Sequence, residues 1–180
     1  MIHDPELLDR LDSFPKESFA GRVYRATRKN QNPLLASRSG GRWMASASTS
    51  VLYTSLEREG ALAEICFHWA QWNPRPSKPA TIHTLQVSAS RTLRFVRADL
   101  EALGIADHEY SLINLPRTQE IGAAVDFLGC DGLIAPCARW PCDNLMMFPD
   151  SASFQGELSV VAVEDVDWQA WGESSGVFNP

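Results

Sequence analysis

The segment from Leu56 to Trp72 constrains the fold of this chain more than any other. Leu62, Ile65, Cys66 and Trp69 recur at helical spacing and give it one apolar stripe. Ser55 is placed to cap that helix, while Pro74 and Pro76 forbid its continuation. Most of the stability of such a helix comes from packing its stripe against a second layer. Glu64 falls at the border of the stripe, with Ala61, Ile65 and His68 as helical neighbours. A carboxylate there needs solvent or a partner such as Arg25 or Arg42, because burying it unpaired is costly.

Around this helix the pattern is one of short strands. Arg22–Thr27 and Val51–Ser55 read as strands, separated by a loop from Arg28 to Trp43 rich in Asn, Pro, Ser and Gly. Thr81–Val87, Leu93–Val96, Gly132–Pro136, Asn144–Phe148 and Glu157–Val163 read as further strands. Residues 4–12 form a short helix with Leu7, Leu8 and Leu11 on one face, Asp4 as its cap and Pro15 closing the segment. A second substantial helix runs from Pro116 to Cys130, with Ile121, Ala124, Val125 and Leu128 inward and Gly129 near its end. The tail from Trp168 onward is weakly patterned and is expected to fray or dock on the surface. Two substantial helices among many short strands indicate an α+β fold, with short mixed β-sheets flanked by helices in a single domain over 1–180. Gly40-Gly41 lacks the dinucleotide-binding spacing and no P-loop signature occurs, so neither of those nucleotide sites is supported.

Charge and cysteine usage narrow the function classes. A net charge of -6 argues against a general nucleic-acid binder, which needs a basic field, but leaves room for a locally basic pocket. Cys66, Cys130, Cys137 and Cys142 have no metal-ligand spacing, so no metal site is expected. The N-terminal residues show no signal-peptide pattern, and the most apolar stretch, Ala61 to Trp72, is interrupted by Glu64 and His68. It falls short of the ~18 apolar residues of a membrane span. The expectation is a reduced, soluble, cytoplasmic protein.

Three features in the first 70 residues form a candidate pocket: Tyr24-Arg25, Ser39-Gly40-Gly41-Arg42-Trp43, and Tyr53 ahead of the helix bearing Glu64. Arginine forks match phosphate, and glycines let backbone N–H groups approach the same oxygens. An aromatic ring offers a stacking face, and a carboxylate can stabilise the positive charge that develops as a glycosidic bond breaks. Taken singly, each residue also fits a structural role: Tyr53 in a core, Gly40-Gly41 in a turn, Arg42-Trp43 in a surface cation–π contact, Glu64 in an ion pair.

The order Tyr24-Arg25, Gly40-Gly41-Arg42-Trp43, Leu52-Tyr53-Thr54-Ser55 and Ala61-Leu62-Ala63-Glu64 resembles the RES-domain family, named for a characteristic Arg, Glu and Ser. Gly132 to Arg139 and Asn144 to Phe148 resemble its later block, and the likeness runs from about Gly21 to Phe154. It implies the toxin half of a toxin–antitoxin pair, with a fold similar to diphtheria-type ADP-ribosyltransferases. It implies an enzyme that takes NAD+ as substrate and cleaves the nicotinamide–ribose bond, depleting NAD+ by hydrolysis or phosphorolysis. Transfer of ADP-ribose to a host protein is the alternative, and an inactive RES-fold binding module a lesser one. By position, Arg25 and Glu64 match the family arginine and glutamate, Arg42 and Tyr53 its pocket arginine and tyrosine, and Asn144 its asparagine.

On this resemblance Arg25, Gly40, Gly41, Arg42, Tyr53, Cys137 and Asn144 bind NAD+, while Glu64, Arg25 and Tyr53 carry the chemistry. Cys137 stands where the serine is expected, retaining its size but bonding hydrogen more weakly. An unrelated cysteine hydrolase using Cys137 or Cys142 would need a positioned base, for which His68 and His83 are the candidates. The implied partner is an antitoxin with a helix-turn-helix domain that covers the pocket mouth, any DNA binding being its own.

Overall fold

The computed structural model describes residues 3–112 and 116–178; residues 179 and 180 of the expected tail lie outside them. Strands β1 (Glu17–Arg28), β2 (Leu52–Ser55), β3 (Ala80–Arg94), β4 (Gly132–Pro136), β5 (Asp143–Met147) and β6 (Glu157–Val166) form the sheet. Around it lie helices α1 (Pro5–Asp12), α2 (Arg58–Ala70), α3 (Arg97–Ala102), α4 (Asp107–Tyr110), α5 (Pro116–Phe127) and α6 (Trp168–Ser175). The fold is α+β, with a mixed sheet in which β3 and β4 run parallel and the other pairs antiparallel.

The sheet is two ribbons joined at their margins. One is β6–β3–β1 and the other β2–β5–β4. They meet where Tyr24 of β1 pairs with Ser55 of β2, and where residues 92–94 of β3 pair with residues 132–134 of β4. Alternation along the strands sends side chains to two faces. Leu133, Ala135 and Met146 point to one, under Trp43, Phe95, Ile121 and Val125, while Val23, Leu52, Leu85, Ile134 and Leu145 fill the other.

Several elements depart from the sequence pattern, each for a tertiary reason. Thr81–Val87 and the start of Leu93–Val96 belong to one strand, β3, which ends at Arg94 with Val96 as the cap residue of α3, because the polar stretch between them is bonded laterally. The buried Asp131 carboxylate accepts from Ser90 N at 2.6 Å and Arg91 N at 3.0 Å, and Thr92 pairs with Glu17. For the same reason β1 begins at Glu17 rather than Arg22, its first residues borrowing a ladder from β3. Ser55 does not cap α2: Glu57 holds the cap position without a side-chain bond, and Ser55 stays in β2. Asp4 does cap α1, accepting from Glu6 N at 3.0 Å. The tail docks as α6, capped by Asp167, with Trp168 buried edge-on against Trp69 of α2. Helices α3 and α4 are too short to leave a periodic signal.

Candidate active site

The joint between the ribbons opens into a cavity of about 910 Å³. Its floor is laid by β1, β2 and β5, which contribute Tyr24 and Arg25, Tyr53 and Ser55, and Asn144 and Met146. Pairing Tyr53 with Met146 and Ser55 with Asn144 puts all four on one face, since directly opposed residues project together. Helix α2 supplies Glu64 as a wall, and Gly40, Gly41 and Arg42 of the preceding loop line another side. The expected residues are thus brought together, Cys137 excepted: it is buried behind Glu64 rather than on the wall.

Glu64 is held by its oxygens. Its Oε1 accepts from Cys137 Sγ at 3.2 Å and from Asn144 Nδ2 at 3.3 Å, and His68 Nε2 lies 3.9 Å from Oε2. No ion pair joins it to Arg25 or Arg42 among the described residues, so the partners that its position demanded are a thiol and an amide. The side chain keeps 31% exposure, which leaves the carboxylate open to the cavity. Asn144 Oδ1 is buried and has no partner among the described residues, an acceptor awaiting a donor.

The cations are fixed by different means. Arg25 Nη1 donates to Pro33 O at 2.9 Å, and burial lowers the guanidinium to about 10, so it stays charged at neutral pH. Arg42 lies over the Tyr110 ring at 4.8 Å, with a long bond to Leu112 O; its neighbour Trp43 is not its stacking partner but a core residue. Arg139 lies over the Phe67 ring at 3.4 Å, beside Glu64 in the cavity wall. Burial lowers its pKa, an effect opposed by the Glu64 charge. Its guanidinium makes no hydrogen bond among the described residues. Arg139 had been legible only as the end of a sequence block, and spacing gave no sign that the β4–β5 turn would aim it here.

The glycines act through space. Gly41 N donates to Met44 O at 2.9 Å, so in this turn that amide is occupied. A Cβ at Gly41 would lie 2.6 Å from Tyr53 Oη; its absence is what admits the phenol. Tyr53 Oη accepts from Trp43 N at 3.2 Å, and burial lifts its pKa to about 12, which keeps the hydroxyl protonated. Gln119 and Thr118 of α5 clasp the same turn by donating to the Gly41 and Arg42 carbonyls at 2.9 and 2.6 Å.

Fold and cavity define the class: a single α+β unit with a deep pocket in which guanidinium groups face a carboxylate held by neutral donors. The model of the RES domain family matches residues 22–169, and the chain belongs to that family. Among solved structures, the fold is similar to a chain of the "M.tuberculosis MbcT-MbcA toxin-antitoxin complex", with a TM-score of 0.80 and 19% identity. That match covers 94% of this chain and 97% of the other. No curated protein sequence matches. Among the described residues no group of metal-ligating side chains could hold an ion, and no helix is long and apolar enough to cross a membrane.

Proposed function

We propose that this RES-domain protein is a toxin that cleaves NAD+ in the cavity beside Glu64. The observation that carries the reading is the pairing, in one cavity, of Glu64 with several guanidinium groups, those of Arg25, Arg42 and Arg139 among them. A dinucleotide with a pyrophosphate at its middle and a positively charged glycosidic nitrogen suits that arrangement. Arg25, Arg42 and Arg139 would take the phosphates, since arginine forks match their oxygens. Tyr53 offers its ring to the nicotinamide, and the unpartnered Asn144 Oδ1 accepts from an amide or hydroxyl of the substrate. Glu64, oriented by Cys137 and Asn144, accepts from the ribose hydroxyls and stabilises the charge that grows on the ribose. The C–N bond breaks with its electron pair leaving on nicotinamide, and water or phosphate adds at the ribose carbon as a proton is released.

The acceptor is assigned to water or phosphate, so that NAD+ is consumed without a macromolecular product. Incubating the protein with labelled NAD+, with and without inorganic phosphate and a cell lysate, tests this by product. Free ADP-ribose or its phosphorylated form supports the assignment. Label entering protein supports transfer to a side chain instead, and intact NAD+ under every condition refutes the function. The solved complex pairs a toxin with an antitoxin, and we take the same restraint to apply here, with an antitoxin carrying a helix-turn-helix domain over the cavity mouth. A cytoplasmic site of action belongs to the same reading.

A further inference from the structure

Pro136 of β4 pairs with Asp143 of β5, so the next pair toward the turn sets Cys137 opposite Cys142. Cys137 N donates to Cys142 O at 2.8 Å, which continues the register into the turn. Directly opposed, hydrogen-bonded residues of an antiparallel pair project to the same face with Cα atoms about 5.5 Å apart. Disulfides span roughly 4.4–6.8 Å between Cα atoms, so the pair is placed to close one. Cys142 Sγ lies 3.3 Å from Ser55 Oγ. Both cysteines border a second depression of about 450 Å³, rimmed by Glu57, Arg97 and Trp140 and separate from the cavity described above. Cys142 is partly exposed there, whereas Cys137 is buried with its thiol also on Glu64.

We propose that Cys137 and Cys142 form a dithiol oxidation site for hydrogen peroxide, and that closing their disulfide takes the Cys137 hydrogen bond away from Glu64. The first half stands on the hairpin alone; the second rests on the NAD+ reading of Glu64. Cys142 ionises first: contact with Cys137 and with the Ser55 hydroxyl holds its pKa below the usual thiol value, while the contact with Cys142 and burial push Cys137 up. The Cys142 thiolate attacks a peroxide oxygen and becomes a sulfenic acid as hydroxide leaves. Cys137 sulfur then attacks that sulfur, giving up its proton and expelling hydroxide, which together leave as water. Two thiols and one peroxide give one disulfide and two waters. Cys137 carries a single proton, and the disulfide removes it, so Glu64 keeps only the Asn144 donor on Oε1. The remaining thiols are poor competitors: Cys66 and Cys130 are buried, and burial raises both, Cys66 to about 12.

Purified protein is treated with hydrogen peroxide, blocked with an alkylator under denaturing conditions and read by intact mass and peptide mapping, with NAD+ turnover followed in parallel. The expected product takes up two alkyl groups where the reduced chain takes four, cross-links residues 137 and 142, and carries its alkyl groups on Cys66 and Cys130. Turnover falls roughly tenfold, the size set by losing one hydrogen bond to a charged group, and dithiothreitol restores it. A Cys142→Ser variant keeps its turnover after peroxide. Cysteines 137 and 142 that both remain open to alkylation overturn the oxidation site. A disulfide with undiminished turnover overturns the link to Glu64. If the reduced protein has no turnover, the NAD+ reading fails, and the mass alone decides the dithiol.

Discussion

Arg139 is held by the face of Phe67 rather than by a hydrogen bond, so its five N–H groups stay available to a ligand. Replacing it with alanine is expected to raise KM for NAD+ about tenfold with little change in kcat, as loss of a charge-assisted phosphate contact does. An unchanged KM in steady-state kinetics would remove Arg139 from the site. At this scale the sequence was informative where a residue conflicted with its surroundings. Glu64 beside an apolar stripe called for solvent or a partner such as Arg25 or Arg42, and the partners proved to be Cys137 and Asn144, 73 and 80 positions away. Arg139 raised no such conflict, since an arginine after a short strand is unremarkable until the hairpin turns it inward.

Among elements, α5 and the Gly40–Trp43 turn show how a helix can position a site that it hardly touches. Thr118 and Gln119 bond the turn, and a Cβ at Gly122 would overlap the Trp43 carbonyl oxygen. Alanine in an ordinary helix interior gains up to about 1 kcal/mol over glycine. Gly122→Ala is expected instead to lose about 1–3 kcal/mol through overpacking, measured by urea unfolding. A gain in stability would mean that the turn yields freely and that α5 does not fix it. Helix α2 and the separate strands β4 and β5 were legible because their apolar patterns are local, whereas the pairing of those strands into a hairpin was not read. The junction of residues 88–92 within β3 was not, since Ser90 and Arg91 are ordered by Asp131, forty positions on.

For the whole molecule, the long ribbon that carries Arg25 also buries His83, its neighbour across β1 and β3. Thr27 Oγ1 lies 2.9 Å from His83 Nε2, and Nδ1 has no partner among the described residues. Burial, with the Arg25 charge adding to it and Asp165 opposing, depresses His83 below its ordinary 6.5. The unfolded chain therefore binds a proton at a higher pH than the folded one. Stability is full above about 6.5 and declines as pH falls from there toward the folded pKa. Urea midpoints measured across that window are expected to slope downward on acidification, and His83→Gln is expected to flatten the slope; equal slopes would deny His83 that role. The α+β class was readable from the mix of short strands and two helices. The joining of two ribbons, which creates the cavity, was not, because it depends on pairings between segments far apart in sequence.

All of these features bear on one claim, that Glu64 works on NAD+ within this cavity. The most direct measurement is the rate of nicotinamide release from NAD+ by the reduced protein and by a Glu64→Gln variant of equal thermal stability. The expected result is release by the first, slowed about 100-fold or more in the second, as befits loss of a charge that stabilises the transition state. Equal rates in the two, or no release by the unaltered protein, would contradict it.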